Sequence, residues 1–125
     1  MKATDLMIGD WVEHIVVGEQ NRNHPMKVNL QDLYRIQSAI SNSDDGLIVR
    51  PIPLTSEILE KNGFHHEKSG DWVCDEDYPN AIVYTFDCKL RIIQSYTMLT
   101  DIDIEYIHEL QHALRLCQID KEITL

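Results

Sequence analysis

The sequence predicts an α+β domain, and three features of its patterning lead there. Short apolar or aromatic runs follow one another from Phe64 to Tyr96 with tight polar links, the pattern of an antiparallel meander. Helical spacing is confined to isolated segments near Leu30, Thr55 and the C-terminal end. Strand runs interrupted by single helices, without regular alternation, argue against a parallel α/β sheet. The expected architecture is a strand-rich N-terminal part, with a small barrel as one closure open to it. A capped middle helix, the meander and a C-terminal helix packed across it complete the fold. A chain of 125 residues fits one domain spanning 1–125.

The elements follow in order. Ile8-Gly9-Asp10-Trp11-Val12 reads as a turn feeding a strand that continues through Val17. Residues 18–25 are polar and read as a loop, Met26 to Asn29 as a short strand. Leu30, Leu33, Ile36 and Ile40 recur at helical spacing. Ser41 to Gly46 is rich in turn residues, and Leu47-Ile48-Val49 starts a strand that Pro51 and Pro53 end.

The middle helix carries a full set of local signals. Thr55 can accept a hydrogen bond from an otherwise unpaired backbone N–H, and Glu57 places negative charge in the first turn. Leu54 and Leu59 are spaced for a hydrophobic staple. Gly63 supplies a left-handed stop after which Phe64 folds back towards Leu59. Beyond it, Lys68-Ser69-Gly70-Asp71 reads as a hairpin turn and Trp72-Val73-Cys74 as a strand. Residues 75–80 read as an acidic loop, Ala81 to Phe86 and Leu90 to Ile93 as strands. The last helix is expected from Asp101 or Asp103 to Cys117. Gly9-Asp10-Trp11-Val12 and Gly70-Asp71-Trp72-Val73 are identical. Their flanks differ, so the echo reads as a Gly-Asp turn opening a strand twice, with a Trp that packs on one face or serves as a binding anchor.

Composition excludes several functions. The hydrophobic share of 43% and charged share of 26% are those of a globular protein. The net charge of −10 opposes direct nucleic-acid binding, because phosphate contacts need clustered Lys and Arg and only Lys89 to Arg91 sets two basic residues close. An acidic surface mainly serves solubility; its rarer use is to mimic nucleic acid in a basic cleft. The N-terminal residues lack an apolar signal core and no run reaches membrane-spanning length. Cys74, Cys88 and Cys117 are odd in number and widely spaced, which suits reduced thiols and a cytoplasmic location.

Three blocks resemble a family of small uncharacterised proteins from Bacteroides-type bacteria and their phages or mobile elements. They are Leu6-Met7-Ile8-Gly9-Asp10-Trp11-Val12, the stretch from Pro51 to Phe64, and Tyr106-Ile107-His108-Glu109-Leu110-Gln111-His112-Ala113-Leu114. The resemblance covers both ends and the middle, and the middle block is the most specific. It implies one small α+β domain, bacterial or phage-borne, with no established activity. It also implies that the third block runs Tyr, aliphatic, His, variable, Leu, Gln, so that Glu109 and His112 are not fixed family features.

Candidate chemistry is concentrated in His108-Glu109-Leu110-Gln111-His112. Two imidazoles one helical turn apart can reach one zinc, with the intervening carboxylate as general base on bound water. The expected apolar stripe is Tyr106, Ile107, Leu110, Ala113, Leu114 and Cys117; Glu105, His108, His112 and Arg115 are expected on the opposite, solvent face. Against zinc stand the lack of a third histidine downstream, where only Asp120 and Glu122 follow, and the positive charge of Arg115. The pattern also occurs by chance in on the order of one random chain in fifty with this His and Glu content.

Other clusters say less. His65-His66 should point to opposite faces of a strand. Asp71, Asp75, Glu76 and Asp77 lack calcium-loop spacing, and nothing in the sequence activates Cys88. No phosphate-binding glycine loop or nucleophile elbow occurs. The favoured reading is a non-enzymatic cytoplasmic protein-interaction module of phage or mobile-element origin, with no cofactor and with a homo-oligomer left open. The alternative is a small zinc-dependent hydrolase with Glu109 as base and His108 and His112 on the metal. The second alternative is an acidic nucleic-acid mimic.

Overall fold

In a computed structural model the α+β class holds, with three helices and two antiparallel sheets among the described residues. The structure describes residues 5–15, 23–40, 48–75 and 80–125. The chain divides into two compact units, Met1–Pro53 and Leu54–Leu125.

The first unit contains β1 (Trp11–Ile15), β2 (Asn23–Lys27), α1 (Leu30–Ile40) and β3 (Val49–Pro51). Its sheet has the order β2-β1-β3, all antiparallel, and remains open. Three short strands cannot close on themselves, so the barrel expected for this part is not formed. The second strand runs earlier than the sequence suggests, because Pro25 lies inside it opposite Glu13. An edge strand accepts proline, since its missing N–H is needed by no neighbour on the open side. Leu6, Val12, Val28, Ile36 and Val49 form the core, with Met26 and Leu33 packed against it. Helix α1 starts at a cap that composition hides. Asn29 Oδ1 accepts from Asp32 N–H at 2.8 Å, and Asp32 Oδ2 accepts from Asn29 N–H at 3.0 Å, a reciprocal box. The turn expected at residues 41–46 and most of the 18–25 loop lie outside the described residues.

The second unit opens with α2 (Ser56–Lys61), where the cap, the first-turn acid and the glycine stop expected from the sequence are realised. Thr55 Oγ1 accepts from Ile58 N–H at 3.3 Å. Gly63 adopts φ +86°, and Phe64 N–H returns to Leu59 C=O at 3.0 Å while Gly63 N–H reaches Glu60 C=O at 3.2 Å. This paired closure satisfies carbonyls that the helix end leaves unpaired. Leu59 and Phe64 are both buried.

A five-stranded meander follows: β4 (His65–His66), β5 (Trp72–Cys74), β6 (Asn80–Tyr84), β7 (Lys89–Gln94) and β8 (Thr97–Asp103), in that spatial order. The hairpin turn before β5 is as expected, with Gly70 at φ +94°. A Cβ at Gly70 would lie 3.2 Å from Phe86 Cβ, a second reason for glycine there. The buried face of the sheet takes alternate positions, Cys74, Ile82 and Ile92 in one row and Tyr84 with Leu90 in the next.

The meander has two strands that the sequence reading does not name, the two-residue β4 and the seven-residue β8. Thr97 to Asp103 pairs with β7 as a strand, where the sequence places the start of the last helix from Asp101 or Asp103. Helix α3 spans Ile107–Leu116 instead. Acidic residues near a helix start and acidic residues on the wet face of a strand are the same letters. The alternation of Thr100, Ile102 and Ile104 against Asp101, Asp103 and Glu105 is the period of two that decides for the strand. After α3, the chain ends in an irregular tail in which Ile119 and Ile123 are buried.

Candidate functional site

Two places in the second unit carry candidate function: the His-Glu-x-x-His segment of α3 and the exposed strand β8. In α3 the rings of His108 and His112 lie 5.5 Å apart, edge to face, and Tyr106 stacks on His108 at 6.0 Å. The spacing is therefore realised on a helix, with both imidazoles one turn apart.

The segment's exposure differs from expectation. His108 does not lie on the solvent side of the helix; it is buried, as is Gln111, alongside Ile107, Leu110, Ala113 and Leu114. His112 and Arg115 are half-buried, and the residue most open to solvent is Leu116. The buried arc is wider than the apolar stripe and extends from Ala113 round to His108. Its polar members sit at one margin.

Glu109 has a structural task. Its Oε1 accepts from the backbone N–H of Tyr106 and of Glu105, both at 3.0 Å. It thus occupies the third helical position of a capping arrangement and satisfies donors at the helix start, where the dipole also favours a carboxylate. The Tyr106 side chain supplies no cap in return. Among the described residues no group of three or more His, Cys, Asp or Glu is gathered in a way that could hold a metal ion.

This assignment separates two variants. Glu109→Ala is expected to lower stability by about 1 kcal/mol through loss of the cap, whereas Glu109→Gln keeps an acceptor oxygen and most of that stability. Urea denaturation checks it: equal losses in the two variants would show that the carboxylate charge, and not the hydrogen bonds, is what matters.

The remaining sequence candidates take ordinary places. His65 Nε2 meets Glu67 at 2.9 Å, while His66 stacks on Trp72 at 4.6 Å, and both histidines are exposed. The repeated Gly-Asp-Trp-Val opens on the same left-handed glycine in both copies, but its Asp bonds locally in the first and to a distant residue in the second. Gly9 and Gly70 both have φ +94°, and each Asp carboxylate accepts a backbone N–H, from Met7 at 2.8 Å and from Phe86 at 3.1 Å. Each Trp is half-buried and covered by a polar neighbour, Trp11 by the Lys27 ammonium and Trp72 by His66. Of the acidic loop that a nucleic-acid mimic would use, Glu76 and Asp77 lie outside the described residues.

Burial and hydrogen bonding displace several titrations among the described residues. Burial, reinforced by the Cys88 thiol, pushes the Tyr84 phenol well above the usual tyrosine range; its O–H donates to Ile104 C=O at 3.1 Å. Burial also raises the Cys117 thiol. The Thr85 hydroxyl bonded to Asp87 lowers that carboxyl.

Strand β8 is the site that sequence reasoning missed. It forms the last strand of the sheet, and all seven of its residues are exposed except the half-exposed Thr100. Met98, Leu99 and Ile102 present large apolar side chains to solvent. The tip of the β7–β8 hairpin is Ser95-Tyr96, both in left-handed conformation, at φ +49° and +70°. Two-residue hairpins demand this geometry, but Asn and Gly adopt it at far less cost than Tyr. The strained Tyr96 is also fully exposed. No family model, curated protein or solved structure matches this chain.

Proposed function

We propose that this chain is a non-enzymatic protein-interaction module that acts in the cytoplasm and holds its partner along β8 and the adjoining hairpin tip. The observation that carries the proposal is the run of exposed large side chains, Tyr96 at the hairpin tip and Met98, Leu99 and Ile102 on an edge strand seven residues long. Proteins ordinarily blunt such edges, because unpaired N–H and C=O groups beside apolar side chains recruit other chains. A strained tyrosine at the tip of the same hairpin supports the reading, since backbone strain is kept where the exposed side chain has a use. No helix among the described residues is long and apolar enough to cross a membrane, which fits a partner met in water. Origin in a phage or mobile element rests on the resemblance of residues 6–12, 51–64 and 106–114 to that family.

A photo-crosslinking amino acid tests the proposal when placed at Leu99 and, as a control on the first unit, at the still more open Tyr34 of α1. In an extract of the native host, irradiation is expected to yield one defined adduct from position 99 and not from position 34. Mass spectrometry identifies the adduct. Equal, diffuse labelling from the two positions would remove β8 from consideration.

A further inference from the structure

We infer that the open edge of β8 accepts an extended peptide segment in which basic side chains alternate with apolar ones, added as a sixth strand. The inference rests on the interaction reading above and specifies the chemistry of the partner.

The argument starts from the ladder. Ile104 donates its N–H to Cys88 C=O at 3.0 Å, and β8 pairs with β7 as Ile102 opposite Leu90 and Thr100 opposite Ile92. In an antiparallel pair, residues alternate between those bonded to the neighbour and those whose N–H and C=O point away. Positions 100, 102 and 104 therefore bond inward, while Asp101 and Asp103 turn both backbone groups to the open edge. On the β6 side the alternation agrees, since Thr85 N–H bonds to Lys89 C=O and so assigns the odd positions of β7 to β6.

An incoming strand would thus bond to the backbone of Asp101 and Asp103, with its own side chains directly beside those two carboxylates. Both Asp side chains are exposed and lie on the face opposite to buried Leu90 and Ile92. Their positive neighbours, Arg91 at 3.3 Å from Asp101 and Lys89 opposite Asp103, lie one strand further in. The edge itself is negative. Between the two acids, on the other face, Ile102 is exposed and calls for an apolar partner.

The same geometry disfavours a second copy of this chain paired about the two acids. Antiparallel pairing of β8 with itself must match an edge-bonding residue with another. In registers centred on residues 101 to 103, Asp101 would face Asp101 or Asp103, and a pair centred on Asp103 would also set Asp101 against Glu105. Each of these registers opposes like charges, which destabilises a cross-strand pair. The acids that repel a copy attract a segment with Lys or Arg at every second position. Main-chain bonds would supply the pairing and the alternate side chains its selectivity, as in strand addition generally.

The test uses the full chain, labelled with 15N, and two capped seven-residue peptides, one alternating Lys with Val and one alternating Glu with Val. The Lys peptide is expected to bind roughly tenfold tighter than the Glu peptide, from two opposed charge pairs of modest strength each. It should slow amide exchange at Asp101 and Asp103 but not at Ile102. The double variant Asp101→Lys/Asp103→Lys, altered only at exposed positions, should reverse the preference. Equal binding of the two peptides, protection elsewhere in the chain, or protection of the same amides by dimerisation without peptide would overturn the inference. If neither peptide binds while the Leu99 crosslink still forms one adduct, strand addition fails and the interaction reading survives. Loss of both removes both.

Discussion

Asn62→Ala is expected to lower the unfolding free energy by about 2–4 kcal/mol, because it removes four part-buried hydrogen bonds at once. The carboxamide of Asn62 uses its full bonding capacity. Its Nδ2 donates to Ile58 C=O at 2.7 Å and to Thr124 C=O at 2.8 Å; its Oδ1 accepts from Thr124 N–H at 2.8 Å and from the Thr124 hydroxyl at 3.3 Å. The residue is buried at the end of α2, so water replaces these bonds poorly. One side chain therefore ties the end of a helix to the last residues of the chain, and Lys61 adds a bond to Leu125 C=O. Beyond the hydrogen bonds, the clamp holds the segment that buries Ile119 and Ile123. The tail has no regular structure of its own, so its apolar contacts depend on being fastened. Urea denaturation should show the loss at an unchanged slope, and amide exchange at Thr124 should quicken by more than global stability explains. A loss under about 1 kcal/mol would mean that the tail is held by Ile119 and Ile123 alone.

How much of this could be read beforehand depended on whether the deciding physics was local. Helix α2 was legible from end to end, because Thr55, Gly63 and Phe64 act within one or two turns and their chemistry needs no distant partner. The Asn62 clamp was not, since its partner is Thr124, far along the chain. Strand β8 was misread for a related reason. Asp101 and Asp103 satisfy the composition of a helix start, and only pairing with β7 turns them into the wet face of a strand. The candidate interaction site is hidden in the sequence because a helix is expected from Asp101 or Asp103 and no strand is expected at residues 97–100, so no edge comes into view.

The burial of α3 failed in another way. Periodicity correctly grouped Ile107, Leu110, Ala113 and Leu114. It could not foresee that the helix sinks far enough to bury His108 and Gln111, while apolar Leu116 remains the most exposed position. Helix depth is set by what packs around it, and a two-letter pattern of polar and apolar residues does not encode that depth.

Leu110→Ala is expected to cost about 3 kcal/mol, within the 2–5 kcal/mol seen when a fully enclosed leucine is truncated. Leu110 is the first variable position of the His-Glu-x-x-His pattern, yet only 1% of it reaches solvent. Its removal leaves a cavity among residues that are themselves fully enclosed, Ile107 and Leu114 included. Half-buried His112, by contrast, should tolerate alanine within about 1 kcal/mol. Glu109→Ala falls between them through its cap. Stability thus ranks the segment with Leu110 first, Glu109 second and His112 last. A zinc centre would rank activity the other way, with His112 and Glu109 indispensable and Leu110 secondary. Measuring unfolding free energies and metal content of the same three variants therefore separates a segment kept for folding from one kept for chemistry. Should His112→Ala release one equivalent of zinc and cost more stability than Leu110→Ala, the metal would be part of the fold, because a bound ion contributes its binding free energy to folding. The geometry of Glu109, with its Oε1 held between two backbone donors at the helix start, favours the first ranking.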